Sequence, residues 1–383
     1  MTRILLVSGS GGVGKTTVAA ATGLAASRRG LRTLVLSFDS SRDLSGAFGL
    51  EVPVLPGASG LPVRLNDHLH LQELDVPSEL RRRWSEGRGE VAALLGGGLE
   101  DVAAEEVALT PGLDALLALL LLGEYTRART YELIIIDAPS TGDALRFVGG
   151  ADCVSWYARR ARAPEQSARR ARPSRTDPDV LHGASDRLMD VGALLRDPTV
   201  TTLRLVTTHD RRAEQATRRA CTAFGLQGIA LDGIVLNRLV PAGTAESPDA
   251  ALARHPAVEN LQRLVGSIPV TGIALQGGEV VGEGTLETFS ALLYRGEDPA
   301  RLMVIHPALG VGKDAVDVYR LEVKLPFVSK EEVTLSRREA ELVIQVGAFR
   351  RNVLLPRMIA RLATVGASMD GDKLVVEFKK ERV

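Results

Sequence analysis

Six short runs of leucine and β-branched residues punctuate the chain: Arg3–Ser8, Thr33–Phe38, Leu133–Asp137, Leu203–Thr207, Gly233–Asn237 and Leu264–Ile268. Continuous apolar runs of this kind, rather than alternating ones, suit strands buried on both faces. Helical patterns separate several of them; Lys15–Arg29, for example, is rich in alanine and ends at Gly30. Strand–helix alternation implies right-handed βαβ units. It predicts an α/β fold with a doubly wound, mostly parallel sheet and helices on both faces. Ligands on such sheets bind beyond the carboxyl ends of the strands.

Two stretches interrupt the alternation. Residues 75–130 carry helical patterns around Pro77–Trp84, Leu99–Val107 and Leu113–Tyr125. Residues 148–200 form a second helical insertion, dense in arginine near its start. It leaves the sheet just past Asp137, so it is expected on the ligand side. After about residue 295 the period changes to two. Tyr319–Pro326, Glu341–Val346 and Asp372–Phe378 alternate polar and apolar positions with turns between them. That pattern predicts an antiparallel β-sandwich over 316–383, joined to a 1–295 domain by a linker through Gly310–Gly312.

Composition narrows the function. The 383 residues carry 47 basic and 47 acidic side chains, so no net charge argues for nucleic acid or an anionic membrane as partner. The opening Met-Thr-Arg-Ile-Leu-Leu-Val-Ser has no signal-peptide pattern, and a cytoplasmic location is expected. Leu116–Leu122, the most apolar run, falls short of the roughly 20 residues a membrane helix needs, so no integral membrane segment is expected. Cys153 and Cys221 are the only cysteines; they exclude a disulfide framework and a CxxC zinc site and read as reduced, mostly buried thiols. His68 and His70 fall on one face of a strand, where an exposed edge explains them better than a metal pair.

The chemistry begins right after the first strand. Gly9-Ser10-Gly11-Gly12-Val13-Gly14-Lys15-Thr16 fits the phosphate-loop pattern GxxxxGK[ST] with a strand before it and a helix after it. Glycines let backbone N–H groups turn inward around a β-phosphate, and the following helix favours the same anion. The motif predicts ATP and Mg²⁺ as ligands, held by Gly11, Gly12, Val13, Gly14, Lys15, Thr16 and Thr17. Lys15 supplies a charge to the β/γ oxygens, the Thr16 hydroxyl a ligand to Mg²⁺, and Thr17 reaches the α-phosphate.

Hydrolysis needs carboxylates as well. Asp137 ends the apolar run Leu133–Asp137 and suits Mg²⁺, and Gly142 in Ala138–Gly142 is placed to swing toward the γ-phosphate. Asp39, just past the second strand, is positioned either to orient the attacking water or to cap the helix that follows. Asn237 closes another strand; its amide matches an adenine edge, or serves a strand-end turn.

As a set these segments resemble the ArsA-type ATPases, which include arsenite-pump ATPases and targeting factors for tail-anchored membrane proteins. The likeness runs from residue 3 to about 290. Beyond the phosphate loop it rests on Phe38–Phe48, Leu71–Asp75, Pro111–Asp114, and Asp137 with Thr141-Gly142 and Leu145–Phe147. It implies Asp39 as the catalytic carboxylate, Asp137 as the magnesium acid, Asn237 as the adenine contact, and a homodimer whose nucleotide sites face each other. The tail, centred on Arg350–Pro356, resembles the small heat-shock (α-crystallin-like) domain of one branch.

Four departures stand out. The family's loop lysine is here Ser10. The first switch carries Ser40 and Arg42 in place of the usual proline and histidine. No CxxC bridges a dimer, and a three-thiolate arsenite site lacks a cysteine. The expected function is therefore a nucleotide-gated chaperone or targeting ATPase for hydrophobic clients, slow because of Ser10. An arsenite-transport subunit and a nucleotide-gated binding protein with little hydrolysis are the alternatives.

Overall fold

The computed structural model describes residues 2–39, 43–50, 60–85, 104–161, 178–240, 255–302, 307–315 and 318–380. The chain divides into two compact units, one of Met1–Leu195 with Gln276–Arg301, the other of Arg196–Leu275 with Leu302–Val383. The mostly parallel sheet has eight strands, ordered β3-β4-β2-β5-β1 in the first unit and β6-β7-β8 in the second.

In the first unit, β1 (Arg3–Gly9), β2 (Thr33–Ser37), β4 (Leu69–Glu73) and β5 (Leu133–Asp137) run parallel, and the short β3 (Val63–Arg64) pairs antiparallel with β4. Ile134, Ile135 and Ile136 are fully buried, as are Leu34, Val35 and Leu36. This is why the central strands read as unbroken apolar runs. Helix α1 (Lys15–Arg28) packs against α10 (Glu283–Tyr294). On its other side α1 lies against the sheet, where Gly23 leaves room: a Cβ there would collide with a Val35 methyl of β2.

The first insertion folds as α3 (Val76–Ser85), α4 (Ala104–Val107) and α5 (Leu113–Ala128). Arg83, fully buried, bonds Glu79 at 2.6 Å on its own helix and Glu124 of α5 at 3.1 Å. A buried charge needs such pairing, and these contacts pin the two helices together. The Leu116–Leu122 run is the buried body of α5, and no described helix is long and apolar enough to cross a membrane. The second insertion supplies α6 (Thr141–Ala161) and α7 (Pro178–Arg196). Arg162, Arg169, Arg170, Arg172 and Arg175 lie outside the described residues, as does Leu99–Ala103 of the first insertion.

In the second unit, β6 (Thr201–Thr207), β7 (Leu231–Leu239) and β8 (Val270–Ala274) are parallel, with α8 (Arg211–Leu226) after β6 and α9 (Pro256–Val265) after β7. The strand expected at Leu264–Ile268 is not there. Val258, Leu261 and Val265 are buried on one side of α9, so Leu264 and Val265 belong to its last turn, which Gly266 closes at φ 64°. The strand begins only past Pro269.

Two antiparallel sheets follow, β14-β15-β10-β9 and β11-β12-β13. Their strands are β9 (Leu309–Ala315), β10 (Val318–Lys324), β11 (Val333–Arg338), β12 (Glu341–Val346), β13 (Phe349–Leu354), β14 (Ala363–Asp370) and β15 (Lys373–Lys379), with the short α11 (Arg357–Ala360) between β13 and β14. Gly310–Gly312, expected as a linker, lies inside β9 and pairs with β10. At a sheet edge the ladder to one neighbour suffices to hold glycines extended. The core of these sheets, including Leu321, Ile344, Val376 and Phe378, also takes in Leu226, the last residue of α8. The Thr222 hydroxyl donates to the Pro326 carbonyl at 2.6 Å, and buried Arg351 donates from Nη1 to the Leu226 carbonyl at 2.7 Å. A Cβ at Gly225 would collide with the Lys324 carbonyl oxygen.

Candidate functional site

In the first unit the candidate residues gather at the carboxyl ends of β1, β2 and β5. Gly14 stands at the start of α1 with φ 96° and ψ 29°, and Gly12 has φ 73°. A Cβ at Gly11 or Gly12 would meet nothing within 4 Å. Gly12 is therefore demanded by backbone conformation rather than by crowding, as expected where main-chain N–H groups must face a ligand. Val13 and Lys15 are buried and Thr17 is half-buried. The Lys15 ammonium donates to the Ser10 carbonyl at 3.2 Å, across the loop it serves.

Thr16 Oγ1 donates to Asp137 Oδ2 at 2.9 Å. Asp137 is 1% exposed, and its other oxygen, Oδ1, has no hydrogen-bond partner among the described residues. Burial pushes its carboxyl up to about 7; the Thr16 hydrogen bond and the Lys15 charge pull it down, Asp39 pushes it up, and the Ser37 hydroxyl pulls it down again. A buried carboxylate with one oxygen orphaned, beside a threonine hydroxyl, is the hard-oxygen donor set that Mg²⁺ takes. These residues fit that ion.

Asp39 is half-buried, and its backbone N–H donates to the Ser37 hydroxyl at 3.3 Å. The next described helix is α2 (Asp43–Ala47). Phe38 stacks on Phe147 of α6, centroids 5.2 Å apart and planes at 24°. The segment carrying Asp39 and the helix that follows Asp137 thus share a buried aromatic contact. Ser140 ties the start of that helix, accepting from the Asp143 N–H at 3.2 Å and donating to its carboxylate at 2.7 Å. Ser40 and Arg42 lie outside the described residues.

Ser37 went unnoticed in the sequence. It is the register partner of Asp137 on one side and of Glu73 on the other, and its hydroxyl accepts from the Asp39 backbone N–H. A serine closing an otherwise apolar strand, two positions before a candidate carboxylate, is the signal that marks it.

Asn237 lies in the second unit, in β7 and 6% exposed. Its Oδ1 accepts from the Arg238 N–H at 2.9 Å, and Arg238 sits at φ 58°, a conformation few non-glycine residues adopt. The pairing of β7 with β8 shifts register at this point. The carbonyl end of the amide is turned to its own backbone. Cys153 is exposed on α6 and Cys221 buried on α8. His70 packs edge-on to Tyr131, centroids 5.5 Å apart, and no group of three or more potential metal-holding His, Cys, Asp or Glu side chains occurs among the described residues.

The anion-transporting ATPase family matches residues 2–295, and the HSP20-like domain found in ArsA matches residues 316–378. A putative arsenical pump-driving ATPase 1 of Aquifex aeolicus is 30% identical over 394 residues, covering 98% of this chain and 99% of the relative. A putative arsenical pump-driving ATPase of Chlorobaculum tepidum is 28% identical over 403 residues, covering 99% and 96%. An ATPase get3 of Botryotinia fuckeliana is 26% identical over 314 residues, covering 76% of this chain and 89% of its own. With its phosphate loop, its buried strand-end aspartate and its β-sheet tail, the chain belongs to the ArsA-type, anion-transporting ATPase family.

Proposed function

We propose that this chain hydrolyses ATP and uses the nucleotide state to control the holding of hydrophobic client segments. The observation that carries the ATPase reading is the Thr16–Asp137 hydrogen bond with Asp137 Oδ1 left over. Thr16 and Asp137 would hold Mg²⁺, which when bound neutralises charge on the β- and γ-phosphates. Gly11, Gly12, Val13 and Gly14 present backbone N–H groups to the phosphates, Lys15 adds a positive charge, and Thr17 donates to the α-phosphate. Asp39 accepts a hydrogen bond from the attacking water and fixes its direction. Asn237 orients the adenine edge.

The client reading rests on the HSP20-like tail and on the get3 relative. In it, residues 1–295 and 316–383 act as motor and client-holding module of a cytoplasmic homodimer. The arsenical-pump name of other relatives suggests soft-metalloid capture, which requires clustered thiolates. Against this, Cys153 and Cys221 sit on separate helices, and burial pushes the Cys221 thiol up to about 12.

Phosphate release by the purified protein tests the first part, with Ser10→Lys expected to raise turnover if the missing lysine is what slows it. Suppression of aggregation of a model client, compared with and without ATP, tests the second. A protein that hydrolyses ATP but protects no client in either state leaves the holdase reading without support.

A further inference from the structure

The loop that carries Asp39 is held at both ends, and a single row of residues does the holding. Upstream, the Asp39 N–H rests on the Ser37 hydroxyl at 3.3 Å. Downstream, α2 begins at Asp43, and Ser45 within it is buried. Both the backbone N–H and the hydroxyl of Ser45 donate to Glu73 Oε1, at 2.9 and 3.2 Å. Glu73 closes β4 and is the register partner of Ser37, so the two anchors stand side by side on neighbouring strands. The Leu74 N–H, donating to the Ser37 carbonyl at 2.8 Å, extends the bridge between those strand ends.

Glu73 is an odd choice for a plain strand end. It is 1% exposed, and its second oxygen, Oε2, is buried with no hydrogen-bond partner among the described residues. Among the described residues no cation pairs with it, whereas two further buried carboxylates, Glu79 and Asp232, each meet an arginine. Burying a carboxylate this way is unfavourable. Packing alone would be served by leucine or methionine. What the carboxylate adds is one strong acceptor aimed at Ser45.

We infer that Glu73 is a positioning residue for ATP hydrolysis, acting through Asp39. By gripping Ser45 it fixes the downstream end of the Asp39 loop, as Ser37 fixes the upstream end. The inference rests on the reading of Asp39 as the carboxylate that orients water. Displacements of an ångström at such a group lower rates by about 100-fold, while phosphate binding, made by the separate loop Gly9–Thr16, is spared.

The test compares Glu73→Met, which keeps volume and loses the acceptor, with Glu73→Gln, which keeps a carbonyl for Ser45. Each is made in the wild-type and Asp39→Asn backgrounds, and melting curves confirm folding. Glu73→Met is expected to lower the single-turnover rate by about 10-fold or more with ATP affinity within about threefold. Glu73→Gln should recover most of the rate, and Glu73→Met should slow the Asp39→Asn protein no further. Faster amide exchange over Asp43–Ala47 in Glu73→Met gives a readout independent of turnover. Normal rate and exchange in Glu73→Met beside an inactive Asp39→Asn overturn the role of Glu73 alone. So does an additional loss in the Asp39→Asn background. An Asp39→Asn protein that hydrolyses normally overturns the Asp39 reading, and the inference with it.

Discussion

Two glycine-dependent places in this chain use glycine for opposite reasons. At the phosphate loop, Gly12 has φ 73° and open space where a side chain would stand. At the seat of the β-sheets on α8, Gly225 lies in an ordinary helix, but a Cβ there would collide with the Lys324 carbonyl oxygen. The first glycine serves a ligand through backbone shape. The second serves packing through the absence of volume. One arrangement is local and function-directed; the other joins residues more than a hundred positions apart, as the 104-residue span of the Thr222–Pro326 bond illustrates.

The comparison can be broken most forcefully at Lys15. Lys15→Ala should lower phosphate release by about 100-fold or more, by analogy with loss of a charge-stabilising group, while the melting temperature stays near wild type. Next comes the glycine pair itself. Gly225→Ala should destabilise by about 1–3 kcal/mol through overpacking against backbone that cannot retreat cheaply, with ATP affinity unchanged. Gly12→Ala should do the reverse, losing ATP affinity in a nucleotide titration with only about 1–2 kcal/mol of conformational strain. Equal loss of both properties in both variants would erase the distinction. Arg351→Met strips the partner from the buried Leu226 carbonyl and should cost about 1–3 kcal/mol in denaturant titration, without touching turnover.

The smallest effect concerns pH. Asp137 is raised from 3.8 to about 7 in the folded protein. Between those values the folded state binds its proton more tightly than the unfolded chain. This group's contribution to stability is therefore complete below pH 3.8 and lost as pH rises through about 7. Asp137→Asn should flatten the fall in melting temperature of the nucleotide-free protein across that window. An unchanged slope would mean that burial does not hold the proton there.

What could be read in the sequence follows the same division. The strand-end positions of the phosphate loop, Asp39 and Asp137 are legible because each follows a contiguous apolar run. The place of Asn237 in β7 is legible for the same reason; that its Oδ1 accepts from the Arg238 N–H is not. Ser37 and Glu73 are not legible in this way: they meet Asp137 through register across strands β4, β2 and β5, which no linear spacing displays. The strand at Val270–Ala274 was misplaced because Leu264 and Val265 continue a helical stripe into an apolar stretch that looks β-like out of context. The glycines of β9 signalled a linker, since their partner strand β10 supplies the order that composition withholds.

The membership of Leu226 in the core of the terminal sheets has a consequence for how this molecule can be cut. A cut between residues 295 and 316 would separate the ATPase part from the β-sheet tail. Such a truncation would strip the apolar cover from the end of α8 and leave the Leu226 carbonyl without Arg351. The freed tail, for its part, would carry a socket shaped for a helix it no longer possesses. Shuffling this tail onto another motor would therefore mean transplanting the end of α8 along with it.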